Sequence, residues 1–373
     1  MALLLSFRRW WCVVFVGLLL LPTIGLFTPD LPAPARMNNV VPNGWWVRAA
    51  EKLDPFINDN YGLRGTLMTG HAAYGRAFQV SRDRPVLIGR HERMFYTAEQ
   101  TLDQTLGRVL RKPQLEQMVS VTARMREEVA KWGGKLVVAI PPNSQTIYGE
   151  DLPDWTERER RRPTEYDFIA EAMPKAGVPF VDMRPALTAA KSGGAVYFRT
   201  DTHWNRRGAL IGFNAVMAAA GYPQLEVPEA DALGPVFRMA TGDLSRFLGE
   251  TNPTGDTDYE WKPAMIKPDT LKPITGVMPA SPPNDPFEPY AYETGHAGPR
   301  VLVVGDSFTQ HFWPGLLAHG TSAFGWMHHR SCKFDFSAVE RFKPNLLIYI
   351  PVERSMPCAG TPAHLDMAAG KAS

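Results

Sequence analysis

The chain has 373 residues, 45% of them hydrophobic and 21% charged, with a formal net charge of +2. That is ordinary globular composition with ample length for a large core. The near-neutral balance, without a basic stripe or an aromatic–basic ladder, excludes a nucleic-acid partner.

Arg8 and Arg9 precede an uncharged apolar run from Trp10 to Phe27, and Asp30 follows it. As a helix the run spans about 27 Å, close to the hydrocarbon thickness of a bilayer. The asymmetry of the flanks leaves the N-terminus in the cytoplasm and the remainder across the membrane. Residues 1–28 therefore read as an uncleaved signal anchor; a signal peptide cleaved near Ala33-Pro34-Ala35 is the alternative. Either places the main domain outside the cytoplasm. A Pro-rich linker is expected over 29–43 and the main domain over 44–373.

The stretch 44–68 reads as an amphipathic helical segment with a turn at Asn60 to Gly62, and "RPVLIGRHERMFYT" as a hairpin. Pro113 opens a long helix with Leu115, Met118, Thr122, Met125, Val129 and Trp132 on one face, ended by Gly133-Gly134. "KLVVAIPPN" is a buried strand stopped by two prolines. Tyr166–Lys175 is helical, "VPFVDM" a short strand, and "RRGALIGFNAVMAAAG" a helix. "RVLVV" is a strand, Thr309–Ala318 a helix, "AVERFKP" helical, and "NLLIYIPVE" the last strand. The stretch 222–299 breaks this alternation and reads as an irregular insertion. Strands apolar throughout, alternating with helices, predict an α/β fold with a mainly parallel sheet covered on both faces. Ligands bind beyond the carboxyl ends of such strands. Asn143, Asp306-Ser307 and Glu353-Arg354 stand at three such ends.

Cys12 lies in the apolar run, leaving Cys332 and Cys358 in the exported part. In an oxidising compartment these two are candidates for a disulfide; two buried free thiols are the alternative. No metal-ligand spacing is present and no cofactor motif is seen.

Two stretches carry chemistry. In "VLVVGDSFTQHFWP" Ser307 stands where a strand meets a helix, a position that suits either a nucleophile or a helix cap, and Asp306 would cap equally well. In "YFRTDTHWN" Asp201 and His203 are two apart, on one side of an extended chain. A carboxylate beside the imidazole fixes its tautomer and frees the other ring nitrogen to take a serine proton. Serine needs such a base at neutral pH. His311, one turn beyond Ser307, is the rival base.

The "DTHW" and "GDSF" pair resembles the SGNH hydrolase-like domain of periplasmic alginate and exopolysaccharide O-acetyltransferases. The likeness extends to "FINDNYGLRG", "VLIGRHERMFY", "GDLSRFLG" and "YIPVERSM", from about residue 50 to 355 and in the same order. Ordinary SGNH hydrolases place the serine block first; here the Asp/His block precedes it, as in the acetyltransferase branch. The resemblance implies a three-layer α/β/α sandwich. It also implies roles by position: Asp201 orienting, His203 as general base and acid, and Ser307 as acyl carrier. The backbone N–H of Ser307, with Asn143 as a second donor, would form the oxyanion hole. Trp204 and Trp313 flank the site as candidates for sugar stacking, and Arg354 for a uronate carboxylate, or for an ion pair with Glu353. Trp45, Trp46 and Trp326 could serve as further stacking surfaces, with core packing the alternative for all of these rings.

The activity implied is transfer of acetyl through an acyl-serine to an exported polysaccharide, alginate or similar. Carbohydrate esterase activity and non-catalytic polymer binding are the alternatives. Acetyl-CoA is cytoplasmic, so the expected donor is a multi-pass membrane acyltransferase. The expected place is the periplasmic face of the inner membrane, or the periplasm if the leader is removed.

Overall fold

The computed structural model describes residues 8–25, 70, 74, 85–239, 242–248 and 255–367. The linker over 29–43, the segment 44–68 and Trp45 and Trp46 lie outside the described residues. The apolar N-terminal run forms the helix Arg8–Gly25. Among the described residues no helix is long and apolar enough to cross a membrane, so the anchor read from residues 1–28 is not shown.

The strands, in chain order, are β1 (Val86–Ile88), β2 (Met94–Tyr96), β3 (Lys135–Ile140), β4 (Phe180–Asp182), β5 (Leu233–Arg238) and β6 (Thr257–Trp261). They continue with β7 (Lys272–Pro273), β8 (Tyr290–Glu293), β9 (Arg300–Gly305), β10 (Ala323–His328) and β11 (Leu346–Ile350). β1 and β2 form an antiparallel hairpin with Val86 opposite Tyr96. Seven strands make the main sheet, in the order β4-β3-β11-β9-β10-β8-β7.

That sheet is mixed, which corrects the mainly parallel sheet expected from sequence. β4, β3, β11, β9 and β10 run parallel, but β8 pairs antiparallel with β10, and β7 with β8. Both antiparallel strands come from the stretch 222–299. An antiparallel neighbour needs no crossover helix, so helix–strand alternation gives no sign of it. The same stretch also folds β5 against β6 as a separate antiparallel pair.

β10, "AFGWMH", has no counterpart in the sequence reading, because Gly325 interrupts its apolar pattern. A Cβ there would lie 2.8 Å from Met278 Cε and 3.0 Å from Leu302 Cδ1, so the gap in the pattern is a packing requirement. The helix expected over Thr309–Ala318 is two helices, Ser307–Gln310 and Pro314–Gly320. The break falls at Pro314, which has no N–H to give the preceding turn.

Alternation along the buried strands divides the core. Val137, Ala139, Val301, Val303, Ile348 and Ile350 face the helices Arg206–Ala219 and Pro314–Gly320. Leu136, Val138, Ile140, Leu302, Val304, Leu347 and Tyr349 face Lys112–Ala130, Glu165–Lys175 and Ser337–Phe342. Helices thus cover both faces, and the site must lie at an edge, where the strands end. Cys332 and Cys358 form a disulfide with Cα atoms 5.2 Å apart, tying the C-terminal stretch to the turn after β10.

Candidate active site

β9 delivers the chain to Asp306, whose extended backbone starts the helix Ser307–Gln310. Asp306 Oδ1 accepts from the Phe308 N–H at 3.0 Å, and Oδ2 accepts from the Val352 N–H at 2.7 Å, beyond the end of β11. Asp306 is therefore the cap, and the Ser307 hydroxyl is left for another partner. That partner is His203 Nε2, 2.8 Å from Ser307 Oγ.

His203 sits in a tight turn between Tyr197 and Trp204, which bridge antiparallel; the Phe198 N–H donates to the His203 carbonyl at 3.3 Å. Asp201 Oδ1 accepts from His203 Nδ1 at 2.7 Å and from the His203 backbone N–H at 3.0 Å. With Nδ1 donating, the Nε2 lone pair faces the serine. Burial opposes ionisation of Asp201, but the bonds from His203 and from the Asp243 N–H outweigh it and hold its pKa below the ordinary value. The histidine side chain is 21% exposed and that of Asp201 12%, so the imidazole is the more open of the two. His311, the rival base, lies near enough to His203 for the two charges to repel.

The turn is held from outside by three carboxylates of the 222–299 stretch, none of them among the sequence-predicted site residues. Asp256 accepts from the backbone N–H groups of Arg199 at 2.6 Å and Thr200 at 2.8 Å. Asp258 accepts from the Arg206 N–H at 3.0 Å and pairs with its guanidinium. Asp243 Oδ1 accepts from the Thr202 N–H at 2.8 Å. The only sign of this in the sequence is "GDLSRFLG", which carries Asp243 but no motif chemistry of its own.

Other expectations need correction. Trp204 and Trp313 are 0% and 1% exposed, stacked on each other with centroids 6.3 Å apart. Their indole N–H groups donate to the Phe308 and Ala209 carbonyls. Trp326 is equally buried and donates to Thr309 Oγ1. These rings brace the helix Ser307–Gln310 and have no face to offer a sugar. Asn143 donates its backbone N–H to Glu353 Oε2 at 2.7 Å and one amide hydrogen to Gln104 Oε1 at 3.2 Å, so its backbone N–H is committed to Glu353 and not to an oxyanion. Burial pushes the Glu353 carboxyl up to about 7 against the opposing bond from Asn143. Glu353 is thus a partner of the Asn143 loop and not of Arg354. The Arg354 guanidinium lies 5.4 Å from the Phe308 ring and 5.8 Å from that of Tyr96, with no acidic partner among the described residues. The Ser307 backbone N–H stands at the first position of its helix, where no intrahelical acceptor is available to it. Asp201, His203 and Asp243 are the one group among the described residues with ligand atoms within 4.8 Å of one another. Each of their four carboxylate oxygens already accepts a hydrogen bond.

A family model described as the SGNH hydrolase-like domain of the acetyltransferase AlgX matches residues 86–323. The probable alginate O-acetylase AlgJ of Pseudomonas syringae pv. tomato is 27% identical over 252 residues, which are 65% of this chain and 61% of that protein. The protein of the same name from Pseudomonas aeruginosa is 34% identical over 138 residues, 36% of this chain and 35% of that one. The matched region is less than two thirds of either relative. Among solved structures, Bacillus cereus PatB1 with a sulfonyl adduct superposes with a TM-score of 0.54 at 15% identity, covering 73% of this chain and 95% of that one. The O-acetyltransferase domain of Pseudomonas putida AlgJ gives 0.46 at 20% identity, covering 74% and 94%. The PatB1 likeness speaks to the fold alone.

Proposed function

The chain belongs to the family of SGNH hydrolase-like domains that includes the acetyltransferase AlgX, and from that premise we propose that it is a polysaccharide O-acetyltransferase working through an acetyl-serine. The observation that carries this reading is the unbroken line from Asp201 through His203 to Ser307, with the cap duty of the serine's helix taken by Asp306.

Ser307 Oγ attacks the acetyl carbonyl as its proton moves to His203 Nε2, and Asp201 stabilises the imidazolium. The Ser307 N–H supports the oxyanion. The donor's leaving oxygen takes the proton back from Nε2. An acceptor hydroxyl then gives its proton to Nε2, attacks the acetyl-serine, and leaves acetylated while Ser307 regains its hydrogen. Asp243, Asp256 and Asp258 fix the imidazole in place, so little reorganisation is needed at each transfer. Arg354, a guanidinium without an acidic partner among the described residues and lying over Phe308, suits the carboxylate of a uronate acceptor. The names of the relatives, probable alginate O-acetylases, point to alginate or a similar polymer.

The acetyl donor in this reading is a multi-pass membrane acyltransferase, and the domain faces the periplasm. The N-terminal helix holds it beside the membrane; Trp10, Trp11, Val13 and Phe15 along that helix are all exposed. The test uses a soluble acetyl ester as donor and an oligouronate as acceptor, with products read by mass spectrometry. Wild type is expected to yield acetylated oligomer, and Ser307→Ala to lose about a thousandfold or more in kcat. Free acetate alone, with the acceptor present, would make it an esterase. Equal turnover in Ser307→Ala would end the acyl-serine reading.

A further inference from the structure

Three oxygens surround Nδ1 of His203. Asp201 Oδ1 lies 2.7 Å away, Thr202 Oγ1 3.2 Å and Asp243 Oδ2 3.8 Å. The third belongs to a residue 40 positions downstream, on the short helix Asp243–Phe247. Its approach is specified in detail. Asp243 Oδ2 accepts from the Thr202 hydroxyl at 2.5 Å and Oδ1 from the Thr202 N–H at 2.8 Å. In return the Asp243 backbone N–H donates to Asp201 Oδ2 at 2.8 Å. Residue 242 must be glycine for this contact. A Cβ there would fall 2.0 Å from the Thr200 carbonyl oxygen, which itself accepts from the N–H groups of Leu244 and Ser245.

We propose that Asp243 is a second acid for the His203 imidazole: a positioning residue that makes Ser307, His203, Asp201 and Asp243 a tetrad. This rests on the acyl-serine reading above and extends it. The Thr202 hydroxyl spends its hydrogen on Asp243, so toward Nδ1 it presents a lone pair. Nδ1 must then be the protonated nitrogen, and the basic lone pair stays on Nε2. The second carboxylate also places negative charge beside the ring that becomes cationic when Ser307 attacks. Burial and the charge of Asp201 raise the Asp243 pKa, while His203 and Thr202 oppose the rise. The titratable and charged groups around the imidazole are Asp201 on its own turn, Asp243, His311 after the nucleophile's helix, and Arg354 across Phe308. Asp243 is the one among them that bonds both to the turn and to the first acid.

The experiment compares wild type, Asp243→Asn and Thr202→Val on the full chain, by aryl-acetate turnover and by labelling of Ser307 with a fluorophosphonate, from pH 5 to 9. Asp243→Asn keeps the shape and removes the charge. It is expected to lower kcat about tenfold with KM unchanged. The acid limb of the pH profile should shift down, because an imidazole with one counter-charge fewer loses its proton sooner. Thr202→Val should lower kcat in the same way but shift the limb less. A thermal melt reports folding independently. If Asp243→Asn loses activity with the acid limb unmoved, Asp243 only holds the turn and the inference fails. It fails too, with the acyl-serine reading standing, if wild type is labelled and Asp243→Asn follows the same profile. Wild type that is neither labelled nor active overturns both.

Discussion

Glu353 offers the sharpest check on the packing around the site. It is 1% exposed at the end of β11, and its Oε2 accepts from the Asn143 N–H and from the Thr146 hydroxyl, each at 2.7 Å. Burial raises its pKa from 4.5 to about 7 despite those donors. In the unfolded chain the carboxyl loses its proton near 4.5; in the folded protein it keeps it to about 7. Between those limits the folded state binds one more proton, so stability falls as pH rises. The slope is about 1.4 kcal/mol per pH unit, and the whole window is worth about 3 kcal/mol. That contribution is fully present below pH 4.5 and gone above about 7. Glu353→Gln keeps an oxygen for both donors and cannot ionise. Urea denaturation at intervals from pH 4.5 to 8.5 should show the variant gaining on wild type steadily across the window, then holding a constant lead. A difference that does not change with pH would refute the reasoning, since it would mean that Glu353 titrates normally in the fold.

Two further outcomes follow from the packing. Trp313→Ala removes a ring stacked on Trp204 and set edge-on to Phe213 at 5.4 Å, and should cost about 3–5 kcal/mol of stability, read by denaturation; a raised KM with stability intact would instead restore the sugar-stacking role. Replacing Cys332 and Cys358 by serine opens a loop of 26 residues and should cost about 3–4 kcal/mol, with wild type falling to the same Tm under reductant. An unchanged Tm would show that the bridge constrains little.

Much of the site was legible because its signals are local. A separation of two puts Asp201 and His203 on one side of an extended chain, and an apolar strand running into Gly-Asp-Ser marks a sheet edge. The long helix could be placed by Leu115, Met118, Met125 and Val129, which are all buried. Where the reading failed, the deciding fact was a neighbour distant in sequence. A tryptophan beside a catalytic residue looks the same whether it faces a sugar or a second tryptophan, and Trp204 meets Trp313 across 109 positions of chain. Asn143 stands at a strand end as a donor should, yet its backbone N–H goes to Glu353 and one amide hydrogen to Gln104. The stretch 222–299 lacks periodicity because its strands are short and partly exposed. It still supplies two strands to the main sheet and three carboxylates to the turn that carries His203.

By itself the chain's order of residues determined the α/β class, the position of Ser307 at a strand end and the placing of Asp201 beside His203. Each of these follows from backbone geometry over a few residues, where side-chain type and spacing leave little choice. Only the tertiary structure decided that Asp306 is the cap, that the tryptophans lie inside, and that Asp243 reaches the imidazole. Those outcomes depend on closing chain segments of 40 to 109 residues onto one another. The free energy that selects such closures is spread over the whole core, so no short stretch carries it.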